Sequence, residues 1–203
     1  MSETVTPGII RKLWPGEQHV LRDHLLRLDP ESRRSRFCST VSEEFIEHYA
    51  GRVFRSGSMI HGCFVDGELR AAAELYPDSK ILADGAEVAF SVEEEFQNLG
   101  LGTLLLERSI LVARNRGIRR LHLTCLPHNR RMQQVVRKFK AELTFEYDEV
   151  MAELTAPYAT ALSLAEEASA DARGMAGAVL QAQRRATGAI LDLFLSPAPA
   201  RAA

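Results

Sequence analysis

The stretch QNLGLGTLLLERSILVARNRG, from Gln97 to Gly117, decides the fold of this chain. Gly100 and Gly102 form a flexible segment directly before a run with helical periodicity, which predicts a tight turn opening into a helix that ends near Gly117. Such a helix start presents unpaired N–H groups and a positive dipole end, and glycines let a diphosphate come close. The stretch alone also allows a bare structural turn. The apolar stripe of the predicted helix consists of Leu101, Leu104, Leu105, Leu111 and Val112.

Strand signals precede this turn. Asp66-Gly67 lies between the apolar runs SMIHGCFV and ELRAAAELY and predicts a β-hairpin. A second turn at Asp84-Gly85 leads into AEVAFSV, where two sets of residues alternate along a predicted strand. One face carries Val88, Phe90 and Val92, and the other carries Glu87, Ala89 and Ser91.

Helical signals lie before and after these strands. Leucines at helical offsets predict a helix over 17–27, with Pro30 as a stop and Ser32 as a possible cap, and Ser42 is expected to cap a second helix. After the glycine turn, RRLHLTC predicts a strand, Asn129 a helix start, and ELTFEYDE and VMAEL two final strands. The predicted fold is therefore α/β (α+β), a mixed, mostly antiparallel sheet with helices on both faces.

Composition limits the class of protein. The chain has 203 residues with 46% hydrophobic and 26% charged residues, typical of a soluble domain. It has no apolar run near the roughly 18 residues of a membrane span and no signal-peptide pattern. Three dispersed cysteines and no metal-type spacing favour a cytoplasmic protein without a metal. Residues 114–140 hold nine Arg or Lys and no Asp or Glu, which predicts a positive field.

Composition shifts after the last predicted strand. Residues 1–155 are predicted to form one domain, and residues 156–203 an Ala-rich helical extension with a disordered tail at SPAPARAA. The extension is expected to contain one or two helices that pack on the domain or form a homodimer.

The motif Gln97-x-x-Gly100-x-Gly102, between a strand and a long helix, resembles the Q/R-x-x-G-x-G/A motif of the GNAT superfamily of N-acetyltransferases. CLPHNRRM resembles that family's second signature region, in which an Asn opens a helix after a strand. The resemblance covers about residues 17–154. Neither the Gly-Lys-Ser/Thr of a P-loop nor a third Rossmann glycine is present.

The resemblance implies the GNAT fold and acetyl-CoA as cosubstrate. In this family the strand before the glycine turn diverges from its parallel neighbour, and the coenzyme lies in the gap. N–H groups from Leu99 to Thr103 would hold the pyrophosphate, and the basic stretch would flank the nucleotide. The implied coenzyme-binding residues are Phe90, Ser91, Val92, Gln97, Asn98, Leu99, Gly100, Leu101, Gly102, Thr103 and Asn129, the last either as a contact or as a helix cap.

Acetyl transfer to an amine needs a group that removes a proton from the amine. Glu87 is the first candidate, because it shares a strand face with small residues and several lysine-acetylating GNAT enzymes carry Glu at this place. The alternatives are a salt-bridged structural role for Glu87 and a base at Glu74. The usual family acid, a Tyr seven residues after the Asn, is Val136 here. Cys125 and His128 are the other candidates for the acid, beside water.

LDPESRRSRFCSTVSEEFIEHY resembles the entry segment of bacterial Pat-type protein lysine acetyltransferases. The predicted function is acetyl transfer to a primary amine by direct attack in a ternary complex, and the amine is either a protein lysine or a small molecule. A non-catalytic acyl-CoA sensing module is the alternative, motivated by the missing Tyr. Nucleic-acid binding through the basic stretch is a third reading that the overall charge of −2 disfavours. Neither a nucleic acid nor a membrane is expected as a partner.

Overall fold

The order of elements follows from local signals along the chain. The computed structural model describes residues 8–78 and 84–195. Its helices are α1 (Gln18–Arg27), α2 (Pro30–Phe37), α3 (Glu43–Val53), α4 (Leu101–Arg114), α5 (Arg130–Lys138) and α6 (Ala161–Leu195). Its strands are β1 (Ile9–Lys12), β2 (Met59–Val65), β3 (Glu68–Pro77), β4 (Gly85–Val92), β5 (Arg120–Cys125), β6 (Glu142–Phe145) and β7 (Val150–Thr155).

The seven strands form one sheet in the order β1-β2-β3-β4-β5-β7-β6. The β4–β5 pair is parallel and the other five pairs are antiparallel. Helices α1 and α3 pack with the core on one face, and α4 and α5 pack with the core on the other. The predicted mixed, mostly antiparallel sheet with helices on both faces is confirmed.

Several local predictions are confirmed. Asp66 and Gly67 both have positive φ, 50° and 76°, as a two-residue hairpin turn of type I′ requires. The Ser42 hydroxyl accepts a hydrogen bond from the N–H of Phe45 and caps α3. The Asn129 side chain accepts from the N–H of Met132 and caps α5.

The prediction that the first helix stops before Pro30 is confirmed, because α1 ends at Arg27. The prediction of Ser32 as a cap was wrong. Pro30 also begins α2, because proline lacks an N–H and its fixed φ suits the first helical position. The cap is Asp29, which accepts from the N–H groups of Glu31 and Ser32. Strand β1, with four half-buried residues, was not predicted from the sequence.

The C-terminal extension forms one helix of 35 residues, α6, over 161–195. It lies so close to β1 that a Cβ on Gly174 would come within 2.8 Å of the Cβ of Arg11. Arg116 also bonds to Glu167 at 2.8 Å. The predicted tail from residue 196 lies outside the described residues, and the division at residue 155 and a homodimer stay predictions. Within the described ranges, α6 and the shorter helices all lack the long apolar run that would cross a membrane.

Candidate active site

The parallel pair β4–β5 opens along its length, and the coenzyme was expected in such a gap. Its register runs from Gly85 opposite Arg120 to Glu87 opposite His122 and stops there. Beyond Glu87, β4 continues to Val92 beside β3 only. The two strands therefore diverge and leave one edge of β4 open.

Main-chain alternation decides which groups face this gap. The N–H of Glu93 donates to the carbonyl of Arg70, and in this ladder every second β4 residue bonds to β3. The N–H and C=O groups of Phe90 and Val92 therefore point away from β3, into the gap. The Val92 carbonyl accepts a bond from Gln97 Nε2 at 3.1 Å, which agrees with this direction. Ser91 pairs with β3 and can meet a ligand only through its side chain.

The glycine turn builds the N-terminus of α4. Gly100 has φ of 84°, a left-handed conformation that favours glycine, and a Cβ there would meet nothing within 4 Å. The N–H groups of Thr103 and Leu104 donate back to the Gly100 carbonyl. Within the described backbone bonding, the N–H groups from Leu99 to Gly102 have no acceptor. The segment whose N–H groups could bind a pyrophosphate is therefore Leu99 to Gly102, one residue shorter than predicted, because the N–H of Thr103 already bonds to Gly100.

One cleft of about 930 Å³ contains the gap, the α4 N-terminus and the start of α5. All of the coenzyme-binding residues expected from the sequence line it except Leu99, which is exposed outside it. Glu87 lines the same cleft. Helix α2 and the residues next to it form one wall of the cleft, which was not predicted from the sequence. This wall consists of Asp29, Glu31, Ser32, Ser35, Arg36, Phe37 and Cys38.

Two of the predicted residues use their side chains within the protein. Gln97 donates to the hydroxyl of Ser32 at 2.8 Å and accepts from Arg131, so it ties α2, β4 and α5 together. Asn129 caps α5 at the edge of the cleft. Both side chains shape the cleft walls through these bonds.

The basic stretch divides into two groups. Arg130, Arg131 and Lys138 line the cleft, and Lys138 Nζ donates to Thr103 Oγ1 at 3.2 Å beside the glycine turn. Arg116 and Arg120 instead pair with carboxylates away from it. The positive field expected over 114–140 therefore reaches the cleft mainly through its second half.

The two candidate bases lie in different environments. Glu87 is exposed in the cleft, and the ion pairs formed by the described residues do not include it. Glu74 is completely buried and is bonded by Arg36 at 2.7 Å, by Tyr49 at 2.7 Å and by Tyr76 at 2.6 Å. Glu74 does not line the cleft, so the second choice of base was wrong.

The candidate acids also differ in whether they line the cleft. Val136 is buried in the core and supplies no proton. Cys125 and His128 both line the cleft. Burial is the main reason that the pKa of the Cys125 thiol is raised to about 11, and nearby Cys38 adds to the effect. Cys125 is therefore a protonated thiol at neutral pH.

A buried polar cluster below the cleft was missed from the sequence. Ser91 Oγ lies 2.9 Å from His24 Nε2, and His24 Nδ1 lies 3.0 Å from Glu93 Oε1. Arg27 and Arg70 donate to the two Glu93 oxygens at 2.9 Å and 2.8 Å. Burial alone would raise the pKa of Glu93, but the bonds from His24, Arg70 and Arg27 outweigh it and lower the pKa to about 2.

This lowered pKa predicts an acid-sensitive cluster. Because the pKa of Glu93 lies below its ordinary value of 4.5 in the folded state, its stabilising effect is complete above pH 4.5 and is lost as pH falls towards about 2. We expect Glu93→Gln to reduce the free energy of unfolding at neutral pH by about 2 kcal/mol, after allowance for solvent screening. Denaturant unfolding at several pH values measures this. The difference from wild type should shrink with acid, whereas Glu142→Gln, an exposed control, should show no such trend.

Groups of three or more metal-ligating side chains do not occur within residues 8–78 and 84–195. The cleft instead offers open N–H groups, four cations and four carboxylates. These groups suit a thioester that carries phosphate groups and places its carbonyl in the gap beside β4.

Comparisons with known proteins agree with this geometry. The sequence model described as "Acetyltransferase (GNAT) family" matches residues 23–141, more than half of the chain. The GNAT domain of S. lividans PAT is 26% identical, with a TM-score of 0.63 over 72% of this chain and 89% of that one. YncA from Salmonella typhimurium, whose structure contains its cofactor acetyl-CoA, is 15% identical, with a TM-score of 0.56 over 77% of this chain and 98% of that one.

A cAMP-binding acyltransferase from Mycobacterium smegmatis is 20% identical, with a TM-score of 0.53 over 83% of this chain. The match spans 51% of that longer protein. Like YncA, it supports the fold. The diverging strands, the glycine turn and the family match together show that this chain belongs to the GNAT family of acetyltransferases, enzymes that transfer acetyl groups from acetyl-CoA.

Proposed function

We propose that this enzyme transfers the acetyl group of acetyl-CoA to a primary amine by direct attack in a ternary complex, with Glu87 as general base. The observation that carries this proposal is the position of Glu87, an exposed carboxylate at the residue where β4 and β5 diverge. A carboxylate there can accept the amine proton directly or through one water molecule.

The coenzyme is proposed to run from the glycine turn into the β4 gap. The N–H groups from Leu99 to Gly102 would bind the pyrophosphate, and Arg131 and Lys138 would add positive charge beside it. The thioester arm would then follow the open edge of β4. The N–H of Phe90 would donate to the acetyl carbonyl and stabilise the negative charge that develops on its oxygen.

The carboxylates that line the cleft support a cationic amine as acceptor. Asp29, Glu31, Glu87 and Glu94 line the cleft, and Arg36 on α2 is neutralised by its pair with Glu74. An acidic surround attracts a protonated amine and holds it until its proton is removed. The 26% identity to the PAT GNAT domain and the Pat-like entry segment favour a protein lysine as that amine.

The alternative is an acyl-CoA binding module without transfer activity. The observation in its favour is Val136, which fills the family's acid position with a buried apolar side chain. In the catalytic proposal, water or a cleft group protonates the leaving thiolate instead.

A panel of acceptors separates the two functions. Thiol release from acetyl-CoA would be followed with lysine peptides, free diamines and neutral amines of similar size. We expect lysine peptides to be acetylated at least about tenfold faster than neutral amines, as a specific charge interaction of about 1.4 kcal/mol would produce. Calorimetric binding of coenzyme A, together with no thiol release for any acceptor, would instead identify the non-catalytic module.

A further inference from the structure

Ser91 connects the cleft to the buried cluster described above. Its hydroxyl lies 2.9 Å from His24 Nε2, and the other nitrogen of that ring lies 3.0 Å from Glu93. A hydroxyl, an imidazole and a carboxylate in this order form the arrangement that activates a serine as a nucleophile. The Glu87-based mechanism makes no use of it.

The protonation state of the cluster suits that arrangement. Glu93 is ionised and accepts bonds from two arginines as well as from His24. Because Nδ1 lies 3.0 Å from the Glu93 carboxylate, the tautomer with its proton on Nδ1 is the one that matches this contact. His24 Nε2 is then the acceptor for the Ser91 hydroxyl proton, as a general base must be.

Ser91 also lies where a thioester could reach it. It is 4% exposed and lines the cleft, whereas His24 is completely buried. Its strand neighbours Phe90 and Val92 direct their N–H groups into the gap, so a carbonyl bound to either N–H would lie next to Ser91 along the strand. Glu87, four residues earlier on the same strand face, is about 13 Å away along the strand and leaves this position free.

We propose that Ser91 accepts the acetyl group when no amine is bound, which gives the enzyme a second, slower activity as an acetyl-CoA hydrolase. This inference rests on the coenzyme site of the proposed function. It does not require Glu87 or a particular amine.

The chemistry balances with the groups present. Ser91 Oγ attacks the thioester carbonyl carbon while its proton moves to His24 Nε2. The C–S bond breaks, and the coenzyme thiolate takes that proton, leaving an acetyl ester on Ser91. Water then attacks the ester, gives a proton to His24, and the ester C–O bond breaks. Ser91 recovers its proton, and the products are coenzyme A and acetic acid.

The test incubates the full chain with acetyl-CoA without amine, then measures acetate release and maps any protein acetyl group by peptide mass spectrometry. We expect an ester-linked, hydroxylamine-labile acetyl group on Ser91 in the wild type. Ser91→Ala should lower acetate release at least about tenfold, and Ser91→Cys should restore the adduct as a thioester. The matched control is Ser109→Ala, a buried serine that bonds the Leu105 carbonyl and lies outside the cleft.

Acetate release no faster than without protein, or equally fast in Ser91→Ala and wild type, would overturn the proposal. An acetyl group found only on other residues would also overturn it, and this result needs no variant to fold. Amine acetylation and coenzyme binding are measured on the same preparation. If both persist while acetate release is absent, only the Ser91 inference fails. If coenzyme A does not bind, the proposed function fails with it.

Discussion

Gly102→Val is expected to lower the affinity for coenzyme A by about a hundredfold, which equals the loss of two charge-assisted hydrogen bonds of about 1.4 kcal/mol each. A valine side chain in the first turn of α4 would crowd the open N–H groups that face the cleft. The fold should tolerate it, because a Cβ at this position would meet only Val135 Cγ2 at 3.7 Å. Isothermal titration gives the affinity, and thermal unfolding gives the stability.

The matched control is Gly51→Val in α3. This is also a helical glycine, and its nearest neighbour for a Cβ is Gln18 Oε1 at 3.9 Å. It should keep full coenzyme affinity. Equal binding by the two variants would show that the glycine turn is only structural.

Gly100 and Gly117 form a second matched pair. They have φ of 84° and 75°, and a Cβ on either would meet nothing within 4 Å. Alanine at either position should cost about 1 kcal/mol through the left-handed backbone. Only Gly100→Ala should also weaken coenzyme binding, because Gly117 lies outside the cleft.

Glu87→Gln is expected to lower kcat for amine acetylation between about a hundredfold and ten-thousandfold, the range for loss of a general base. Coenzyme affinity should stay unchanged, because the amide keeps the shape of the side chain and contacts no phosphate in the proposed pose. Steady-state kinetics and titration measure the two quantities. Glu153→Gln, an exposed carboxylate on β7, is the control. An unchanged kcat in Glu87→Gln would remove Glu87 from the mechanism.

The parts of the fold that were predicted depend on local chemistry. Asp66-Gly67 can only make a tight turn with positive φ, and Ser42 and Asn129 bond to N–H groups three residues ahead. The cap was misplaced on Ser32, because the sequence alone does not show that Pro30 starts α2 directly after Asp29. Strand β1 is too short to show the alternation that identifies a strand.

The site residues likewise divide into those that local sequence predicts and those that depend on long-range contacts. The alternation along the strand predicted that Glu87 lies on an open face, and in the structure Glu87 lines the cleft. Glu74 has a similar local sequence setting, but its buried pair with Arg36 joins residues 38 positions apart. The bonds of His24 to Ser91 and Glu93 span 67 and 69 positions. No local pattern reports such contacts, because they arise only when α1 packs on the sheet.

The central claim is direct acetyl transfer from the coenzyme to an amine with Glu87 as base. A single-turnover experiment tests it most directly: enzyme loaded with acetyl-CoA is mixed with a lysine peptide, and free thiol and acetylated peptide are quantified over time. With direct attack by the amine, both products appear together, at a rate that rises with peptide concentration and falls equally for both in Glu87→Gln. A sample without peptide measures the slower thiol release that Ser91 would cause, and this amount is subtracted. Corrected thiol release that precedes peptide acetylation, or that does not rise with peptide concentration, would contradict direct transfer.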